Sequence, residues 1–200
     1  MKIISTINSD LSKAYETIKI GVSASADGGF LSKKAYDIGK LLGREIVEQG
    51  GIIVSGATTG FPYWSAMGAK ENGGLSIGFS PASNKREHVE VYKAPLDYMD
   101  LITFTGMGYA GRDLIFTKSC DAIIVGPGRI GSIHEFTVAF EDEKPIGILE
   151  SDEWDTDEIL KLIIEKSHRP NKYIVFDKDP RELVTKVMNL VRTQRDKLGY

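Results

Sequence analysis

A carboxylate and a guanidinium, each placed behind a run of glycines, give this sequence its best opportunity for chemistry: Glu135 and Arg112. Glu135 closes the stretch Gly126-Pro127-Gly128-Arg129-Ile130-Gly131-Ser132-Ile133-His134-Glu135, which follows the apolar run Ala122-Ile123-Ile124-Val125. Arg112 follows Gly106-Met107-Gly108-Tyr109-Ala110-Gly111. Glycines let a backbone turn and approach a ligand closely, and a helix start offers unpaired N–H groups at the positive end of its dipole. Such a cradle suits a phosphate, with Gly128, Arg129, Gly131 and Ser132 as its contacts. Facing a bound phosphosugar, the pair suits N-glycosidic cleavage. The arginine would orient or neutralise the anion, and the glutamate would stabilise oxocarbenium-like charge or activate water. A plainer reading stands beside this one. Ser132-x-x-Glu135 is also a capping box that satisfies free amides, and Arg112 can equally be a surface residue opening a helix.

To share one rim, Arg112 and Glu135 need neighbouring parallel strands behind them. Strands are expected at 18–23, 51–55, 76–81, 101–104, 122–125, 145–149 and 173–176. Between them lie helical patterns. Ala35, Ile38, Leu42 and Ile46 recur at helical spacing, with Ser32 as N-cap and Gly50-Gly51 as the stop. Further helices are expected from Pro62 to Asn72, from near Arg112, through Phe136 to Asp142, from Asp155 to Lys166 and around Leu183 to Val191. Residues 82–100 read as a long polar connection. This alternation predicts an α/β, Rossmann-like three-layer αβα fold with a mostly parallel sheet of about six or seven strands. Residues 1–17 are expected to be an N-terminal extension and 18–200 a single domain.

Ligands of such sheets bind beyond the C-terminal ends of the strands, and four loops there are rich in glycine or small residues. They add Ser23, Gly56, Thr58, Thr59, Gly60 and Gly108 to the candidate contacts. Tyr63, Trp64, Met107 and Tyr109 are placed to stack on a base, although such residues are more often core. His134 reads as surface, because neighbours on a helix point about 100° apart. Asp152, Glu153, Asp155, Asp157 and Glu158 read as a solvated helix start.

Composition narrows the classes. A net charge of −3 over 200 residues gives no support for nucleic acid as a partner. No apolar run approaches the ~18 residues of a membrane span. Cys120 has no second cysteine to pair with, fits a reducing compartment and reads as structural. A cytoplasmic location is expected. No Gly-x-Gly-x-x-Gly follows the first strand, and there is no P-loop or Gly-x-Ser-x-Gly elbow. The three histidines lack metal-ligand spacing. Neither a cofactor nor a metal is expected, and the partner is a small nucleotide.

Gly106 to Asp113 followed by Pro127 to Glu135 resembles the Lonely Guy (LOG), or lysine decarboxylase-like, family. Its hallmark is Pro-Gly-Gly-x-Gly-Thr-x-x-Glu preceded by an arginine-bearing helix. The similarity runs roughly from Ile18 to Leu149 and extends to the related molybdenum-cofactor carriers. The resemblance implies a nucleoside 5′-monophosphate phosphoribohydrolase, with Arg112 and Glu135 as its catalytic pair. It also implies that Gly128, Gly131 and Ser132 hold the 5′-phosphate and that the protein is a homodimer or higher homo-oligomer. Three positions depart from the pattern: Arg129 replaces a glycine, Ser132 a threonine, and Asp113 stands where the hydrolases carry Lys or Asn. Serine keeps the hydroxyl. Arg129 and Asp113 alter the charge of the cradle, which leaves a non-catalytic nucleotide or molybdenum-cofactor carrier as the alternative and a dimeric scaffold as the third.

Overall fold

The computed structural model describes residues 17–26, 29 and 31–198. The expected extension at 1–17 thus lies almost wholly outside the described residues, as do Asp27 and Gly28 of the first loop. The element order is β1 (Ile18–Ser23), α1 (Lys33–Glu48), β2 (Gly51–Ser55), α2 (Gly60–Glu71), β3 (Ser76–Ser80), α3 (Lys85–Glu90) and β4 (Leu101–Phe104). It continues with α4 (Gly108–Ser119), β5 (Ala122–Val125), α5 (Ile130–Glu141), β6 (Ile146–Leu149), α6 (Thr156–Lys166), β7 (Ile174–Asp177) and α7 (Pro180–Leu198). The seven strands form one sheet in the order β4-β3-β2-β1-β5-β6-β7, parallel at every pairing.

Side-chain alternation along the strands builds two cores, one on each face of the sheet. Ile18, Ile20, Val22, Ile53 and Ile124 meet Leu42 and Ile46 of α1, Phe61 of α2 and Leu183, Val187 and Val191 of α7. Val54, Ile123, Val125, Ile146 and Ile148 meet Phe116 of α4, Phe136 and Phe140 of α5 and Leu160 of α6. Full burial of each such aliphatic or aromatic side chain contributes roughly 1.5–3 kcal/mol. Helices α1 and α2 cross so closely that a Cβ on Gly43 would stand 1.8 Å from the Ser65 carbonyl oxygen. Cys120 is buried where α4 passes into β5.

The structure corrects several expectations. The connection 82–100 contains α3, capped by the Asn84 side chain. It is tied down by buried His88, whose Nδ1 lies 2.8 Å from Ser80 Oγ and Nε2 2.9 Å from the Pro95 carbonyl. A carbonyl only accepts, so Nε2 donates and Nδ1 accepts the serine proton. Helices α2 and α4 start at Gly60 and Gly108, ahead of Pro62 and Arg112. Strands β4 and β5 are not neighbours, because the strand order reverses at β1 and places β5 beside β1. Arg112 reaches the site another way: α4 crosses back over the sheet from its β4 edge.

Candidate functional site

The strand order reverses between β1 and β5, and parallel sheets open a crevice at such a point. A cavity of about 610 Å³ lies there, within the range of small-molecule sites. Among the residues named from sequence, Arg112, Glu135, Gly56, Thr58, Arg129, Gly131 and Ser132 line it, joined by Tyr109, Asp113 and His134.

Glu135 sits in the second turn of α5 rather than its first, and only 6% of it is exposed. Its Oε2 accepts a hydrogen bond from Ser23 Oγ at the end of β1. The capping box is not formed. Arg129 is the N-cap of α5, no side chain caps the helix, and Ser132 lies inside its first turn. Glu135 is thus turned from a cap into a cavity carboxylate by one long-range contact.

Arg112 is buried in the second turn of α4, against the expectation of a surface helix start. Its guanidinium rests on Gly56, where a Cβ would come 1.5 Å from Nη1. The Arg112 Nε lies 3.2 Å from Asp113 Oδ1 without the alignment of a hydrogen bond, so this buried N–H has no hydrogen-bond partner among the described residues. Asp113 Oδ2 meets His134 Nδ1 at 3.1 Å. Burial pushes the Glu135 carboxyl up to about 8; the Arg112 charge opposes this, the Asp113 carboxylate adds to it, and the Ser23 hydrogen bond opposes it.

The other residues frame the cavity. Ser132 Oγ packs so tightly on Gly128 that a Cβ there would stand 2.2 Å away, whereas Gly131 faces open space. Thr59 Oγ1 donates to the Ala26 carbonyl. Gly60, with φ +71, would carry a Cβ 2.3 Å from the Ser25 carbonyl oxygen, which accepts from the Phe61 N–H. Ser23, Gly128, Thr59 and Gly60 therefore shape the wall without lining it, and Gly108, with φ +62, serves the start of α4. Sequence reasoning missed Thr156, at the start of α6. Its Oγ1 accepts from the Gly128 N–H at 2.8 Å and donates to the Gly128 carbonyl at 3.0 Å. Ser25, within the small-residue loop that follows β1, lines the cavity, and its N–H donates to the Pro127 carbonyl at 2.7 Å. A polar residue opening the next helix was the only sequence signal for Thr156.

Of the four candidate stacking residues, Tyr109 lines the cavity and is 60% exposed. Tyr63 instead donates to Asp97 at 2.8 Å, and Trp64 packs on the core beside Tyr36. His134 is not the isolated surface residue expected from its position, since it joins Asp113. Among the described residues, no group of three His, Cys, Asp or Glu could hold a metal ion, and no helix is long and apolar enough to cross a membrane.

Comparison with known proteins agrees with this architecture. Residues 17–184 match the model of the SLOG cluster4 family, which bears out the LOG-like resemblance. An uncharacterised protein of Archaeoglobus fulgidus is 31% identical over 132 residues, 66% of this chain and 80% of that one. The molybdenum cofactor binding protein of Rippkaea orientalis has a similar structure, with TM-score 0.70 and 23% identity over 89% of this chain and 97% of that chain. The molybdenum cofactor carrier protein of Chlamydomonas reinhardtii gives 0.72 and 22% over 88% and 99%. DNA processing protein A of Streptococcus pneumoniae gives 0.63 and 18% over 85% and 62%. At these identities the likeness is one of fold.

Proposed function

We propose that this chain, which belongs to the SLOG cluster4 family, binds a nucleoside 5′-monophosphate and hydrolyses its N-glycosidic bond to free base and ribose 5-phosphate. The observation that carries this reading is the buried Glu135 carboxylate, held by Ser23 instead of capping its helix and set beside Arg112 in the cavity at the strand-order reversal. A group whose proton affinity lies near working pH is suited to proton transfer. In this reading the phosphate rests on the N–H groups at the start of α5 around Gly131 and Ser132, with Arg129 adding charge. Arg112 fixes the anionic sugar phosphate, Glu135 takes the proton of the attacking water, and Tyr109 offers a face to the base.

The test is turnover of a panel of nucleoside 5′-monophosphates, read as free base and ribose 5-phosphate. Wild type should release base, and Glu135→Gln and Arg112→Ala should not. Tight nucleotide binding without release would favour a second reading, a carrier of nucleotide or molybdenum cofactor. Arg129 supports that alternative, because it puts a second guanidinium on the cavity wall where the resembling hydrolases have glycine. The Chlamydomonas reinhardtii protein of similar fold is a molybdenum cofactor carrier. The homodimer implied by the resemblance belongs to either reading and is checked by light scattering.

A further inference from the structure

Two side chains in the cavity have no role in the steps above, Asp113 and His134, and the structure joins them. Asp113 is 4% exposed and divides its carboxylate between Arg112 Nε, 3.2 Å from Oδ1, and His134 Nδ1, 3.1 Å from Oδ2. The ring of His134 lines the cavity and 42% of the side chain is exposed, with no hydrogen bond to Nε2 from the described residues. A carboxylate that accepts from Nδ1–H fixes the ring's tautomer and orientation. The nitrogen left for a ligand is then Nε2.

The placement next to Glu135 is informative. Consecutive helical residues point about 100° apart, yet both line the cavity, so they approach a ligand from two directions. Breaking an N-glycosidic bond calls for two such groups, one at the anomeric carbon and one at the departing nitrogen. Arg112 and Tyr109 from α4 and Arg129 at the start of α5 are the other charged or titratable side chains around the ring. Arg112 and Arg129 are placed to hold the ligand's anionic groups by charge-assisted hydrogen bonds, and Tyr109 offers its ring face to the base.

We propose that His134 is the general acid for the leaving base and that Asp113 is its positioning residue. The proposal rests on the hydrolase reading above. In the step, the C1′–N bond breaks and its electron pair passes to the base nitrogen, which takes the Nε2 proton of the His134 imidazolium and leaves a neutral ring whose Nδ1–H still donates to Asp113. Water bonds to C1′ and yields a proton to the Glu135 carboxylate. Solvent returns that proton to His134, so the net reaction is nucleotide plus water giving base and ribose 5-phosphate.

The experiment compares wild type, His134→Gln, His134→Asn, Asp113→Asn and Glu135→Gln on two substrates. One is a nucleoside 5′-monophosphate, and the other is 4-nitrophenyl riboside 5-phosphate, whose phenolate leaves without being protonated. Loss of general acid catalysis should slow base release by about 10²-fold or more in both His134 variants while leaving nitrophenolate release unchanged. The alkaline fall in the wild-type pH profile should disappear with them and shift in Asp113→Asn. Glu135→Gln should lose both reactions. Equal losses on the two substrates in folded His134 variants, as judged by melting, would overturn the acid role, and so would undiminished base release. Wild type inert towards both substrates would remove the hydrolase reading itself, and the acid role with it.

Discussion

Two hollows lie along the C-terminal edge of the sheet, and they handle charge in opposite ways. The second, about 770 Å³, gathers Glu150, Asp152, Glu153, Asp155, Asp157 and Glu158 with Lys161 and Lys178. Its charges are mostly solvated and paired: Lys178 meets Asp152 at 2.9 Å with side chains 66% and 87% exposed, and Lys161 meets Glu150 at 2.6 Å. Solvent and salt screen pairs of this kind, so they add little to stability. Only Asp157 departs from the solvated helix start read in the sequence, being buried with one carboxylate oxygen unpartnered. In the first cavity, by contrast, the side chains of Arg112 and Asp113 are 8% and 6% exposed. Density of charge in a sequence therefore marks a surface, while burial with incomplete pairing marks a place where a ligand has something to complete.

The sharpest way to break this contrast is to remove one cation from each hollow. Arg112→Ala leaves the Asp113 and Glu135 carboxylates buried without their cation, and should cost about 3 kcal/mol of folding stability. It should also abolish turnover. Lys178→Ala should leave folding stability close to wild type and turnover intact, because solvent already screens its pair. Urea melts of both variants check this, and equal costs would erase the distinction.

Acidity gives a second contrast, with opposite signs in the two hollows. The Glu135 carboxyl is raised by burial, from 4.5 to about 8. Its contribution is fully present below 4.5 and is lost as pH rises through about 8, with a slope of up to ~1.4 kcal/mol per pH unit. Asp152 is lowered by its bond to Lys178. Its contribution is present above the ordinary carboxylate range and is lost as pH falls through the lowered value. Stability measured between pH 4.5 and 8 should decline for wild type and flatten for Glu135→Gln, whereas Asp152→Asn should change only the acid side.

Gly56→Ala probes the buried pair sterically. The added methyl meets Arg112 Nη1, so the guanidinium must move, at about 1–3 kcal/mol by analogy with overpacked sites. Turnover should fall with it. Gly131→Ala adds a methyl that meets nothing within 4 Å and should leave folding unchanged while narrowing the cradle; thermal melts and turnover of the pair separate the two cases.

The central strands β1, β2, β5 and β6 were legible because their apolar runs are buried on both faces and are bounded by glycines or polar turns. Ile123 and Ile124, for example, enter opposite cores. Helix starts were legible only approximately. Gly108 to Gly111 reads as loop by propensity, but Gly108 turns the chain at φ +62, its N–H bonds the Pro81 carbonyl, and the residues after it already belong to α4. The glycine cradle and its two charged residues could be named from local motifs. Strand order could not, since no local period encodes which strands pair, and the reversal at β1 determines that Arg112 lies over β2 beside Gly56. The same limit hid Ser23 holding Glu135 across 112 residues and Asp113 meeting His134 across 21.

The smallest effect concerns a residue that stands between the two hollows. Thr156 opens α6, whose next residues belong to the acidic hollow, yet its hydroxyl both accepts from and donates to Gly128 of the cradle. Thr156→Val keeps the shape and removes both hydrogen bonds, leaving the two backbone groups of Gly128 without this partner, at about 1 kcal/mol. If the hollows are independent, that small loss of stability is all that should be seen. If Thr156 holds Gly128 in place for the phosphate, KM for the nucleotide should rise with kcat little changed, because the lost contact orders the bound phosphate equally in ground and transition states. Thr156→Ser, which retains the hydroxyl, should restore KM. A raised KM in Thr156→Ser as well would trace the effect to packing of the methyl, and the acidic hollow would then bear on the cradle through shape alone.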